Sequence, residues 1–254
     1  MSEPKPAATL KHREHYDRAA ETVPQFSVLN YGFSCEPENS VIAANDPEFY
    51  CLRLYEHTVR DTPLAGRDVL EVSCGRGGGA NFVSRTFQPQ RYVGVDLSDE
   101  NIRLARSRAA RAGLTFETGN AEQLALPDAS FDVVINIEAS HLYDDRGRFF
   151  VEVLRLLRPG GYFCYTDGCW ADDDCSEELV DLGFELLERL EITTNVLHAL
   201  RKDSARRATL FDAMRNRELR EEYKHWGGVV GYRAYNRFEA GQTRYFSHRL
   251  RKPL

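Results

Sequence analysis

The stretch EVSCGRGGGA, residues 71–80, decides how the chain is read. It places four glycines in five positions: Gly75, Gly77, Gly78 and Gly79. Glycine has no Cβ and tolerates positive φ, so such a turn lets backbone approach a ligand closely. Nucleoside triphosphates, dinucleotides and methyl donors are all held by turns of this kind. A P-loop needs a lysine and a hydroxyl after its glycines to meet phosphate charge. Neither follows here, which excludes an NTPase. The dinucleotide pattern G-x-G-x-x-A does fit Gly75, Gly77 and Ala80, and Asp96 lies 21 residues past Gly75, where an acid should meet a ribose. Glu71 breaks the tie. It sits in the preceding strand, where its charge would repel a pyrophosphate and favour a sulfonium or an α-ammonium.

Around this loop a strand–helix alternation is legible. RDVLEVS (67–73), RYVGVDLS (91–98), LTFETGN, FDVVINIEA (131–139) and GYFCYTDG (161–168) read as five strands. ENIRLARSRAARAGL reads as an amphipathic helix ended by Gly113, and RFFVEVLRLLRPGG as a second, stopped by Pro159 and Gly160. Strands separated by helices imply βαβ units and a parallel sheet covered on both faces. SEELVDLG with FELLERLEIT predicts another helix–strand unit, and TRYFSHRLRK a last strand. HREHYDRAAETV and PEFYCLRLYEHTV predict helices before the core, and residues 194–226 are mostly helical in pattern. The expectation is an α/β, Rossmann-like, doubly wound and mostly parallel seven-stranded sheet. It has one structural domain in three parts: a tail and helical cap (1–60), a core (61–193), and a helical insertion with the final strand (194–254). Residues 1 to about 10 are expected to form a loose tail.

These residues resemble a known family, the class I S-adenosylmethionine-dependent methyltransferases. The likeness spans most of residues 68–168, with four segments in register. VLEVSCGRGGG resembles the glycine-rich loop, implying that Glu71, Ser73, Gly75 and Gly77 contact the cofactor. VGVDLS resembles the second-strand end, whose acid holds the ribose hydroxyls; this implies Asp96, with Leu97 beside it. TGNAEQLALPDASFDVV resembles the adenine-pocket segment, implying Asn120, Ala121 and Glu122. LRPGGYF resembles the turn into the fifth strand. Ile137, at the end of the fourth strand, completes the candidate cofactor set. Ser73 stands where the family's loop has its first glycine, and Asn120 where an aspartate is common. The implied cofactor is S-adenosylmethionine, leaving as S-adenosylhomocysteine.

Methyl transfer from a sulfonium is an in-line displacement by an already activated donor, so the protein supplies proximity, alignment and desolvation. An alcohol acceptor also loses a proton, a task suited to histidine. His141 follows the fourth strand and Asp167 ends the fifth, at the carboxyl edge where open α/β sheets bind ligands. The pair, with Glu138 opening an E-x-x-H segment, looks like that of small-molecule O-methyltransferases. LNYGF, VSCGRGGG and NIEASH, with Tyr235, Gly241 and Tyr245, also resemble bacterial lipid and polyketide methyltransferases. The mycobacterial phthiotriolone and fatty-acid O-methyltransferase group is the nearest of these. The implied acceptor is a hydroxyl, or a carboxylate, on a hydrophobic small molecule. Tyr31, Phe33, Tyr143 and Trp170 are candidates to contact it.

Composition sets bounds on the rest. The 254 residues are 42% hydrophobic and 28% charged, as in a soluble globular protein. No apolar run approaches the ~20 residues of a membrane span. The charged first twenty residues lack a signal-peptide core. Six scattered cysteines read as reduced thiols, so a cytoplasmic location is expected. From residue 200 onward 14 Lys/Arg face 6 Asp/Glu, but they are interspersed, and a solvated surface is favoured over nucleic-acid binding. Asp172–Asp174 cannot converge on one ion, so no metal is expected. Oligomeric state is left open. Carbon methylation, a non-catalytic cofactor-binding relative and an NAD-dependent dehydrogenase stand as alternatives.

Overall fold

A computed structural model describes residues 8–109 and 111–254, with side chains from residue 13 onward. Of the expected tail, residues 1–7 lie outside the described residues; residues 8–10 already belong to a helix. Seven strands form one sheet: β1 (Asp68–Val72), β2 (Arg91–Asp96), β3 (Leu114–Thr118), β4 (Phe131–Ile137), β5 (Leu157–Trp170), β6 (Glu185–Glu191) and β7 (Thr243–Arg251). Their order is β3-β2-β1-β4-β5-β7-β6. The first five run parallel, while β7 pairs antiparallel with both β5 and β6. The order reverses beside β1, and ligands of open α/β sheets bind at such a switch point.

The helices are α1 (Ala8–Thr22), α2 (Phe49–Thr58), α3 (Gly78–Phe87), α4 (Asp99–Arg108), α5 (Arg146–Leu156), α6 (Ser176–Asp181), α7 (Thr193–Asp212), α8 (Arg217–Trp226) and α9 (Arg233–Glu239). Local chemistry starts several of them. Ser98 caps α4 by accepting from the Asn101 amide, Asp145 caps α5 from Arg148, and Asn216 caps α8 from Leu219. The α4 pattern stops five residues short of Gly113, at Arg108. Among the described residues no helix is long and apolar enough to cross a membrane.

Strand alternation sorts side chains into two layers. Val69, Tyr92, Val133 and Ile135 pack with Leu54 and Tyr55 of α2 on one face; Leu70, Val72, Val134 and Phe163 pack with Phe149 and Phe150 of α5 on the other. A third cluster lies outside the sheet. Ala19 and Val23 from the chain's beginning meet Phe26, Phe211, Met214, Tyr223 and Val229. The N-terminal helix and the late helices therefore build one cap from segments roughly 200 residues apart in sequence.

Candidate active site

The carboxyl ends of β1, β2 and β4 open into a cleft of about 770 Å³, open solvent included. Ser73 and Gly75 form one wall, Asp96 and Leu97 a second, Asn120, Ala121 and Glu122 a third, with Ile137 and Tyr143 opposite. Gly75 has φ +53°, and a Cβ built there would meet only Leu29 at 3.6 Å, so the turn leaves its backbone open toward the cleft. The Gly75 amide donates to Asp96 Oδ2 (2.8 Å), while Ser98 N and Asn101 Nδ2 donate to Oδ1 (3.0 and 3.1 Å). Three donors leave room on a carboxylate that has about four lone-pair sites. Burial raises the Asp96 pKa, and these hydrogen bonds only partly offset it. The arrangement fits a nucleoside: an acid for paired hydroxyls, and the apolar Leu97, Ala121 and Ile137 for a flat base.

Two expected cofactor contacts, Glu71 and Gly77, do not line the cleft. Glu71 lies on the α2 face of β1, 1% exposed, and does not line the cleft. Its oxygens accept from Tyr55 Oη and Tyr92 Oη, each at 2.7 Å, and burial pushes its pKa up to about 7. Period-two alternation carries it to the same side as Val69, away from the ligand. Gly77 (φ +75°) packs helix to sheet instead, since a Cβ there would stand 2.8 Å from both Ala105 and Phe116. Asn120 and Glu122 border the cleft, as expected, and each also makes a hydrogen bond within its loop. Asn120 Oδ1 accepts from the Glu122 amide at 3.0 Å, and Glu122 Oε1 accepts from Asp144 N at 2.9 Å. Ser73 takes φ +62° in a non-glycine residue and shares a hydrogen bond with Tyr143 Oη at 2.6 Å.

His141 occupies a single 3-10 turn (Ser140–Leu142) directly after β4. Its Nδ1 lies 2.7 Å from Asp167 Oδ1. Asp167 is buried, and Oδ2 also accepts from Ser140 Oγ (2.8 Å) and the His141 amide (3.0 Å). Ser140 Oγ is in turn 2.7 Å from Tyr165 Oη. Ser140 has one proton, and Asp167 claims it, so Tyr165 is the donor to Ser140. Burial alone would raise the Asp167 pKa, but the His141 charge and these donors outweigh it and hold it low. Burial alone would lower the His141 pKa; the Asp167 charge and hydrogen bond outweigh that too and raise it.

Two further cavities meet at His141. The second, about 550 Å³, runs under the cap between Val23, Phe26, Val28, Phe211 and Trp226. The third, about 1190 Å³ including open solvent, leads past Trp170 to the surface. Tyr31 separates them, its amide donating to Glu138 Oε2 at 2.7 Å and its hydroxyl to the Trp226 carbonyl at 3.0 Å. Tyr143 borders the first and third cavities, and Trp170, half exposed, only the third. Phe33 does not reach any of the three. It is buried in the core, stacked on His57 at 4.1 Å, and this corrects its assignment as an acceptor contact.

Two residues were missing from the candidate set. Tyr16 of α1 lines both the first and second cavities, through a chain reversal that no local pattern signals. Glu138, with φ +55°, lines all three. Burial pushes its pKa up to about 8. It did carry a signal, as the first residue of the E-x-x-H segment. Of the acidic run, Asp173 pairs with Arg146 and Asp174 with Arg189; Asp174, Cys175 and His248 bring potential ligand atoms within 4.8 Å of one another.

A switch-point cleft with a ribose-type acid, joined to a histidine–aspartate pair, defines a nucleotide-cofactor enzyme site. The comparisons narrow the class. A family described as "Methyltransferase domain" matches residues 70–165. A fatty-acid O-methyltransferase of Mycolicibacterium smegmatis is 36% identical over 229 residues, 89% of this chain and 83% of that one. A phthiotriol/phenolphthiotriol dimycocerosates methyltransferase of Mycobacterium tuberculosis is 36% identical over 226 residues, 85% and 82% of the two chains. Among solved structures, the [4+2]-cyclase SpnF aligns with a TM-score of 0.79 at 21% identity, covering 99% of this chain and 98% of that one. A geranyl diphosphate C-methyltransferase from Streptomyces coelicolor aligns at 0.69 and 15%, covering 99% and 100%. At these identities the structures speak for the fold. The chain belongs to the S-adenosylmethionine-dependent methyltransferases. It is an enzyme, and S-adenosylmethionine is its cofactor.

Proposed function

We propose that the chain methylates an oxygen of a small hydrophobic molecule of lipid or polyketide type, with His141 as general base and Asp167 as its partner. The observation that carries this is the 2.7 Å contact between His141 Nδ1 and buried Asp167, where the two cavities beside the cofactor cleft meet. An ionised carboxylate only accepts, so Nδ1 carries the proton and Nε2 keeps its lone pair for the acceptor. Bound S-adenosylmethionine supplies a methyl carbon made electrophilic by its sulfonium. Ser73, Gly75, Asp96, Leu97, Asn120, Ala121, Glu122 and Ile137 would hold the cofactor, with Tyr143 closing that wall. The acceptor oxygen gives its proton to His141 Nε2 and uses a lone pair for the new C–O bond. When bound, the cofactor would give up its methyl carbon with the S–C electrons staying on sulfur. Tyr16 and the cap exclude water, and Tyr31 and Trp170 border the acceptor's path.

The 36% identity to enzymes named for fatty-acid and phthiotriol acceptors supports an apolar acceptor. The three segments 1–60, 61–193 and 194–254 work as one domain. A cytoplasmic location accords with six unpaired cysteines. The test is to incubate the enzyme with ¹³C-methyl cofactor and a panel of lipid and polyketide alcohols and acids. An O–CH₃ resonance in the product is expected; a C–CH₃ resonance overturns the oxygen assignment.

A further inference from the structure

Ser73 stands where the family's loop has its first glycine, yet it keeps a left-handed φ of +62°, a conformation that glycine takes freely. The departure therefore brings backbone strain along with a new hydroxyl. The protons around that hydroxyl show its use.

Asn136, buried in β4, spends both of its amide hydrogens. One goes to the Val72 carbonyl at 2.9 Å and the other to Tyr143 Oη at 3.0 Å. The Val72 carbonyl can only accept, which fixes the amide's orientation and makes Tyr143 Oη an acceptor. Burial raises the Tyr143 pKa, so the phenol keeps its own proton. Ser73 Oγ lies 2.6 Å from Tyr143 Oη. That hydrogen bond uses one proton, while each of the two hydroxyls carries one. Among the described residues neither oxygen has a further partner, so one O–H is unspent whichever of them donates. Both residues border the cofactor cleft, and a donor left over there is matched by an acceptor on the ligand.

With the ribose on Asp96 at the end of β2 and the base against Leu97 and Ala121 toward β3, the amino-acid end of the cofactor runs the other way along the sheet edge. It passes over β1 and β4 toward His141. Ser73 directly follows β1, and Tyr143 follows the 3-10 turn after β4. The amino-acid end carries an ammonium and a carboxylate. An ammonium has no lone pair, so only the carboxylate can take the spare proton. Arg13 also borders the cleft, but it pairs with Asp99 at the start of α4, on the β2 side.

We infer that Ser73 and Tyr143 act as a pair that recognises the amino-acid end of S-adenosylmethionine, donating their one free O–H to its carboxylate. This rests on the proposed seating of the cofactor in that cleft. It moves the Tyr143 hydroxyl from the methyl acceptor, to which the sequence assigned it, to the methyl donor.

The test titrates the full chain by calorimetry with three ligands. S-adenosylhomocysteine is whole, S-adenosyl-3-thiopropylamine lacks only the carboxylate, and 5′-methylthioadenosine lacks the amino-acid end altogether. The variants are Ser73→Gly, Tyr143→Phe and the two combined. Glycine suits the backbone at 73, and phenylalanine keeps the ring edge-on to Phe149 at 5.0 Å, so the fold is kept. The double variant should lose about tenfold of the wild-type preference for S-adenosylhomocysteine over its decarboxylated analogue. Its affinity for 5′-methylthioadenosine should stay within about twofold. A single variant that reproduces the loss marks the hydroxyl facing the carboxylate. An unchanged preference in the double variant overturns the inference. So does an equal loss for all three ligands, which assigns the pair to shaping the cleft alone. Asp96→Ala tests the seating separately: if it weakens none of the three ligands, the cofactor lies elsewhere and the inference falls with that seating.

Discussion

Nδ1 of His141 and Oδ1 of Asp167 lie 2.7 Å apart, with the aspartate buried and the histidine side chain 39% exposed. The carboxylate thus fixes the imidazole's tautomer from the protein side while the opposite nitrogen is left to the cleft. As a base His141 must be neutral, and its pKa is raised above the ordinary value. The kcat/KM of the wild type should therefore climb with pH and reach its plateau only above about 6.5. Asp167→Asn should lower kcat about 10²- to 10⁴-fold and move the acid limb to lower pH. His141→Ala should lose turnover while cofactor binding, followed by calorimetry, stays within about twofold, since the ring borders the acceptor cavities and not the cofactor cleft. A flat pH profile would remove the base.

Ser140 gives a subtler test of the same pair. Its hydroxyl donates to Asp167 Oδ2 at 2.8 Å, spreading charge that would otherwise favour the imidazolium. Ser140→Ala should concentrate that charge and shift the acid limb upward, opposite to Asp167→Asn. Tyr165→Phe should shift it in the same direction, more weakly, being one bond further away. A downward shift in Ser140→Ala, in a pH series of kcat/KM, would contradict the assigned donor direction.

Asp96 is the junction between the glycine loop and the second strand, bonded to Gly75, Ser98 and Asn101. Asp96→Ala removes a charged acceptor from the cleft and frees the loop. Hydrogen bonds to charged groups are worth about 1.5–3 kcal/mol, so the calorimetric Kd for S-adenosylhomocysteine should weaken by about tenfold or more. An unchanged Kd would move the ribose elsewhere.

Glu71 makes its prediction for stability. Its pKa is about 7 in the fold against an ordinary 4.5, raised chiefly by burial. The folded state therefore holds the proton more tightly than the unfolded one. That contribution is complete below pH 4.5 and is lost as pH rises through about 7, amounting to about 3 kcal/mol. Glu71→Gln cannot ionise, so relative to wild type it should gain about this much between pH 4.5 and pH 8 in urea denaturation. Parallel pH dependences for the two proteins would contradict the buried, protonated carboxyl.

Glu71 also shows where reading the chain by itself stops. Its type and position before the glycines point to a ligand contact, yet one-residue alternation turns it into the α2 face, where Tyr55 and Tyr92 wait. Phe33 fails for a similar reason: a loop aromatic close to the cleft in sequence finds a closer partner in His57. His141 and Asp167 succeed because strand ends in a parallel sheet share one edge, so two residues 26 apart are brought together by topology alone.

The strand–helix alternation, the glycine turn at Gly75, the acid at Asp96 and the edge positions of His141 and Asp167 were set by the sequence itself, because turn chemistry and periodicity act over a few residues. The cap was decided in three dimensions. Tyr16, Phe26, Phe211 and Trp226 surround the acceptor cavity only because α1 folds back over the sheet against α7 and α8. Burial of apolar surface is non-directional, so it is the packed chain that chooses which distant faces meet.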